Sequence, residues 1–133
     1  MSRTIYRSID IEEAIRAALA PYMSVYCRPL PKDFDIPSVL VQGTGGETEA
    51  SASGKGKVDT FTVVLDSRAD IEADALELIR TAVAILETTK DEGFAYVAIN
   101  SLYSWGTDPA RPDLAMCSAT LQVKAHREVI TIE

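Results

Sequence analysis

Midway along the chain the spacing of apolar residues switches from two to about 3.6 within a few positions, and that switch limits the folds open to it. From Val58 to Asp66 the residues alternate, with Phe61, Val63 and Leu65 on one face and Thr60, Thr62 and Val64 on the other. That is the pattern of a β-strand with two unlike faces. Asp70 then stands where a helix N-cap belongs. Ile71, Ala75, Leu78, Ile79, Ala82, Ile85 and Leu86 recur at helical spacing, with Glu77, Arg80, Thr81 and Ala84 on the opposite side. Gly93 follows as a C-terminal stop signal. A strand with one apolar face and a helix with one apolar stripe each need a second surface, and stacking the helix on a sheet provides it.

The flanking segments supply the rest of that sheet. Asp10 reads as an N-cap with Glu13 three residues on, as in a capping box. Ile11, Ala14, Ile15, Ala18 and Leu19 then form a short apolar stripe, which Pro21 ends near Ala20. Ser24–Arg28 reads as a strand with Val25 and Cys27 on one face, and Pro29–Asp33 as a turn. Ser38–Gln42 is a second, aliphatic strand. Phe94–Trp105 and Leu114–Arg127 are two more, joined through the turn-rich Gly106–Asp113. In the last of these, Leu121, Val123 and Ala125 share a face opposite Gln122, Lys124 and His126. The tail from Glu128 to Glu133 fits an extra strand or a frayed end.

The expected fold is a single α+β domain over 1–133 with element order α-β-β-β-α-β-β. It has a mostly antiparallel sheet of about five strands, with both helices on one face. The other face is left for solvent or a partner. Between the second and third strands, residues 43–57 contain five glycines and almost nothing to bury, which reads as a long flexible Gly-rich hairpin loop. The strand ladder is free to extend partway into it.

Charge narrows the partners. Twenty acidic and 13 basic residues give a formal charge of −7, which opposes wrapping of nucleic acid. An acidic surface still suits a passage through which DNA slides without being held. The longest aliphatic stretch, Ala82–Leu86, is far too short to cross a membrane, and nothing near the start resembles a signal peptide. Synthesis in the cytoplasm and reduced thiols are therefore expected, with pairing of Cys27 and Cys117 left open.

The search for chemistry gives little. Gly54-Lys55 has Glu49 where a phosphate loop needs its first glycine and Gly56 where it needs a hydroxyl, and the segment precedes a strand. His126 is the one histidine and sits in a regular strand, a poor setting for a triad or a multi-histidine metal site. Cys27 and Cys117 read as small buried hydrophobes with no basic neighbour. The carboxylates fall at helix starts and in polar loops. No enzyme, cofactor or metal is expected. Tyr96, Tyr103 and Trp105 on or beside the fourth strand suit an interface, since Tyr and Trp are enriched at binding hot spots.

The ordered pattern resembles a family. A capped helix leads to a strand ending at Arg28-Pro29-Leu30-Pro31. Then come Pro37-Ser38-Val39-Leu40-Val41, a Gly-rich excursion, and Phe61-Thr62-Val63-Val64-Leu65-Asp66. A second helix and a hairpin with an Asp-Pro-rich turn complete the series. Across roughly Ser8–Arg127 this is similar to the tail-terminator, or tail-completion, proteins of long-tailed bacteriophages and to related minor capsid and neck proteins of prophages. The resemblance implies a structural subunit that forms a ring with copies of itself, commonly a hexamer. Such a ring sits in the virion at the head–tail junction and caps the tail tube. It meets tail-tube and head–tail connector proteins, and DNA passes through it without specific binding. No residue-level motif carries over.

The interface residues expected on this reading are Thr44, Glu47, Glu49, Lys55 and Lys57 of the Gly-rich segment, with Tyr103, Trp105 and Arg111. Two alternatives remain: another connector or tail-tube protein, and a regulatory α+β domain that binds a small molecule in a polar pocket.

Overall fold

A computed structural model of the protein describes residues 1–49, 58–89 and 94–133. The elements are β1 (Arg3–Arg7), α1 (Ile11–Leu19), β2 (Val25–Cys27), β3 (Ser38–Glu49), β4 (Val58–Ala69), α2 (Glu72–Thr88), β5 (Phe94–Gly106), β6 (Ala115–His126) and β7 (Glu128–Ile132). A five-stranded sheet runs in the order β2-β3-β4-β6-β5. Only its β2–β3 pair is parallel. A separate two-stranded antiparallel ribbon is made of β1 and β7. This is the expected α+β class with a mostly antiparallel sheet.

The core follows from the register. Val41 lies beside Leu65, which lies beside Ala119; Val63 lies beside Leu121. This face meets both helices, and the same cluster contains Ile11, Ile15 and Leu19 of α1 with Ala75, Ile79, Ala82, Val83 and Leu86 of α2. Each fully buried aliphatic side chain of this kind contributes about 1.5–3 kcal/mol relative to exposure. In β4 and β6 the stacking is the one that the alternation of Val63/Leu65 and Leu121/Val123/Ala125 demands.

The helix ends differ in detail from the sequence pattern. At α1, Asp10 does cap, its carboxylate accepting the Glu13 N–H at 3.2 Å. The reciprocal half of the box is replaced, because the Glu13 side chain turns to Arg16 instead. At α2 the cap position falls on Ile71, with no side-chain bond to the first turn. Asp70 therefore does not cap, and Ile71 is exposed where the stripe placed it in the core. The buried face is centred on Ala75, Ile79, Ala82, Val83 and Leu86, while Leu78 and Ile85 pack at its flank. Glu72 and Asp74 in the first turn face the positive end of the helix dipole and compensate for the missing cap. The Gly93 stop signal lies outside the described residues.

Two further features concern strands. The ladder of β3 runs on through Gly43–Glu49, paired with Val58–Val63, so the Gly-rich loop starts later than its composition suggests. The register shifts between Gly43 and Gly45, and Gly45 has φ +134°, a conformation that suits glycine at a bulge. A Cβ on Gly46 would lie 2.2 Å from the carbonyl oxygen of Thr60. Gly45 thus serves the bulge, and Gly46 a close backbone approach within the strand pair. Arg3–Arg7, where the sequence pattern marks no element, is a strand paired with the tail at Glu128–Ile132.

Candidate interaction site

Among the described residues the five-stranded sheet has two unpaired edges. One is β2, three residues long. The other is β5, thirteen residues long and, among the described residues, hydrogen-bonded only to β6. An unpaired edge presents a row of N–H and C=O groups ready to accept another strand. Tyr96, Leu102 and Trp105, all on β5, are each half exposed or more. Beside that edge, an open groove of about 590 Å³ is bounded by Arg80, Ala84 and Thr88 of α2 and by Ile99, Leu102 and Tyr103 of β5. Tyr103 is partly buried against the core cluster, and Trp105 lies opposite Cys117.

The outer half of the β3–β4 hairpin is a second surface. Thr44 and Glu47 are exposed there, and Glu49 is opposite Val58. The Thr44 hydroxyl lies 3.4 Å from the Thr62 carbonyl. Lys55 and Lys57 lie outside the described residues. At the root of this hairpin, under the start of α1, is a groove of about 440 Å³ lined by Ser8, Asp10, Glu12, Glu47, Thr48 and Asp59 among others.

Its carboxylates are mostly committed. Glu12 accepts from Arg28 and from the Gly43 N–H at 3.1 Å, and the Arg28 bond leads in holding its carboxyl below the ordinary range despite partial burial. Asp59 is the most heavily bonded. Its two oxygens accept from Ser8 at 2.6 Å, from Thr48 at 2.7 Å and from Arg127 at 3.1 and 3.2 Å. Burial pushes the Asp59 carboxyl up, but these donors together outweigh it and hold the group below its usual value. Ser8 and Arg127 directly flank β1 and β7, so this one carboxylate ties the terminal ribbon to the main sheet.

Arg111 belongs to the other end of the molecule, in the β5–β6 turn. Its guanidinium pairs with Asp113 at 3.0 Å and lies 5.8 Å from the centre of the Phe34 ring. Nearby in the ladder, Arg68 is buried and pairs with Asp108 at 3.1 Å. Asp66 accepts from Ser118 and, at 3.0 Å, from Gln42. These polar groups knit loops and strands together.

The expected interface residues therefore fall into three places. Thr44, Glu47 and Glu49 sit on β3 where it pairs with the Val58–Val63 half of β4. Tyr103 and Trp105 lie along β5, and Arg111 is in the turn at the far end. Thr44, Glu47 and Glu49 share β3, Tyr103 and Trp105 share β5, and Arg111 lies on neither. Sequence reasoning passed over Asp59, Arg127, Ser8 and Thr48. Their only signal is a carboxylate inside a strand, and the partners are up to 68 positions away.

The described residues contain no group of three or more His, Cys, Asp and Glu arranged to hold a metal, and no helix long and apolar enough to cross a membrane. Cys27 and Cys117 are both free. Three strand spacings, roughly 14 Å, separate their strands, well beyond disulfide reach. The described residues define an α+β domain with a long unpaired sheet edge and a separate two-stranded ribbon. No family model matches the chain, and neither does any curated protein.

Proposed function

We propose that the protein is a structural assembly subunit of a long-tailed phage or prophage, a tail terminator that forms a ring on the end of the tail tube and joins it to the head. The observation that carries this reading is the free β5 edge with its exposed Tyr96, Leu102 and Trp105. A large apolar set along an unpaired edge favours burial against another chain. The net charge of −7 is in keeping with a lumen that lets DNA pass without holding it. The commitment of the groove carboxylates to Arg28 and Arg127 supports a structural role over acid–base chemistry.

The test is light scattering after size exclusion, followed by negative-stain imaging alone and with tail tubes. Closed rings that cap tube ends are expected. Filaments would point to a tail-tube subunit instead. A strict monomer at every concentration that ignores tube ends would refute the assembly role.

A further inference from the structure

The terminal ribbon is anomalous as part of a lone subunit. Two-stranded ribbons are marginally stable in water unless a further surface supports them. Here β1 and β7 pack on each other and on little else among the described residues. Its root is fixed by the Asp59 cluster, yet Val129 and Ile132 of β7 are left largely exposed. Of the eight exposed large apolar side chains among the described residues, three lie on β5 and two on β7, so the ribbon and the β5 edge are the two apolar surfaces most in need of cover.

We infer that the β1–β7 ribbon of one subunit docks along the β5 edge and the adjoining α2 groove of a second copy, and that this contact closes the ring. The inference rests on the assembly reading above and names the surfaces that would carry it. Geometry selects the occupant. The β5 ladder is broken by register shifts at Phe94/Tyr96, Ile99/Ser101 and Ser101/Ser104. Such breaks disfavour a long β5–β5 pairing across a two-fold axis, which needs a continuous edge. The uninterrupted stretch Tyr96–Ile99 instead matches a short strand such as the five-residue β7. Charge agrees: Arg3 at the free end of the ribbon and Glu87 at the groove are both exposed and opposite in sign. A ribbon meeting an edge elsewhere on the molecule is a head-to-tail contact, the type that closes rings.

Two measurements test it. Val129→Cys and Leu102→Cys chains, each in a Cys27→Ser background, are oxidised alone and mixed. A crosslinked pair that forms only on mixing is expected. Separately, Val129→Glu/Ile132→Glu should reduce the oligomer to monomer in light scattering with the thermal melt of the monomer unchanged, since both sites are exposed. If wild-type rings persist in the double variant, or if Leu102→Cys or Val129→Cys crosslinks to itself, the inference fails while the ring reading stands. A wild-type protein that is monomeric throughout overturns both.

Discussion

Replacing Asp59 with alanine tests how the terminal ribbon is held. The Asp59 side chain is 5% exposed and that of Arg127 is 20% exposed. Truncation removes the Arg127 pairing and the acceptor for Ser8 and Thr48, and leaves a mostly buried guanidinium without its counter-charge. Breaking a buried pair from one side costs about 3–5 kcal/mol, and the residual hydration of Arg127 places this case near 3 kcal/mol. For a chain of this size that corresponds to a fall in Tm of about 9–15 °C. Urea titration followed by far-UV circular dichroism gives the free energy, and Asp59→Ala/Arg127→Ala completes a cycle expected to show about 2 kcal/mol of coupling. The pH dependence supplies an independent sign. Because the folded carboxyl is held below its ordinary value, its contribution is complete above about pH 5 and is lost as pH falls through the unfolded and then the folded value. Asp59→Ala should therefore lose less stability than wild type on acidification from pH 5. A cost under about 1 kcal/mol, additive with Arg127→Ala, would refute the claim that this node anchors the ribbon.

Gly46→Ala should destabilise by about 1–3 kcal/mol, because its Cβ would meet the Thr60 carbonyl at 2.2 Å and the Phe61 Cα at 3.1 Å, neither of which can swing aside. Chemical denaturation reads this, and a neutral result would mean that the ribbon backbone shifts freely. Ile79→Ala should cost about 2–5 kcal/mol, and Leu78→Ala less, since Ile79 is fully buried while Leu78 sits at the flank. Equal costs would contradict the face that α2 presents. Cys117 should resist iodoacetamide in the folded protein, being fully buried with its thiol pushed up by desolvation. Cys27, partly exposed and also raised by burial, should label slowly at neutral pH. Mass spectrometry that finds both thiols labelled at equal rates would refute this.

The sequence by itself determined the layer structure, because local pattern carries it. The alternation at Val63 and Leu65 and at Leu121, Val123 and Ala125 selects the buried sheet face, and the stripe of Ile11, Ile15 and Leu19 selects the face of α1. These signals depend on neighbours a few positions apart, where strand and helix geometry are strict. Tyr103 and Trp105 stand out in the sequence as large aromatics on one strand, and the fold separates them: Trp105 is half exposed and Tyr103 packs partly against the core.

Only the tertiary structure decided what depends on distant partners. Arg3–Arg7 is a strand because Glu128–Ile132 lies beside it, and Asp59 is an anchor because Ser8 and Arg127 converge on it from opposite ends of the chain. The glycines at 43, 45 and 46 read as loop because composition reports backbone freedom without its use; here that freedom admits a bulge and a close backbone approach. Ile71 is exposed because it stands at the cap position of α2, ahead of the buried stripe that packs on β4 and β6. Long-range pairing leaves no local trace in the residues that make it, so the sheet edge and the ribbon are visible only once the chain is folded.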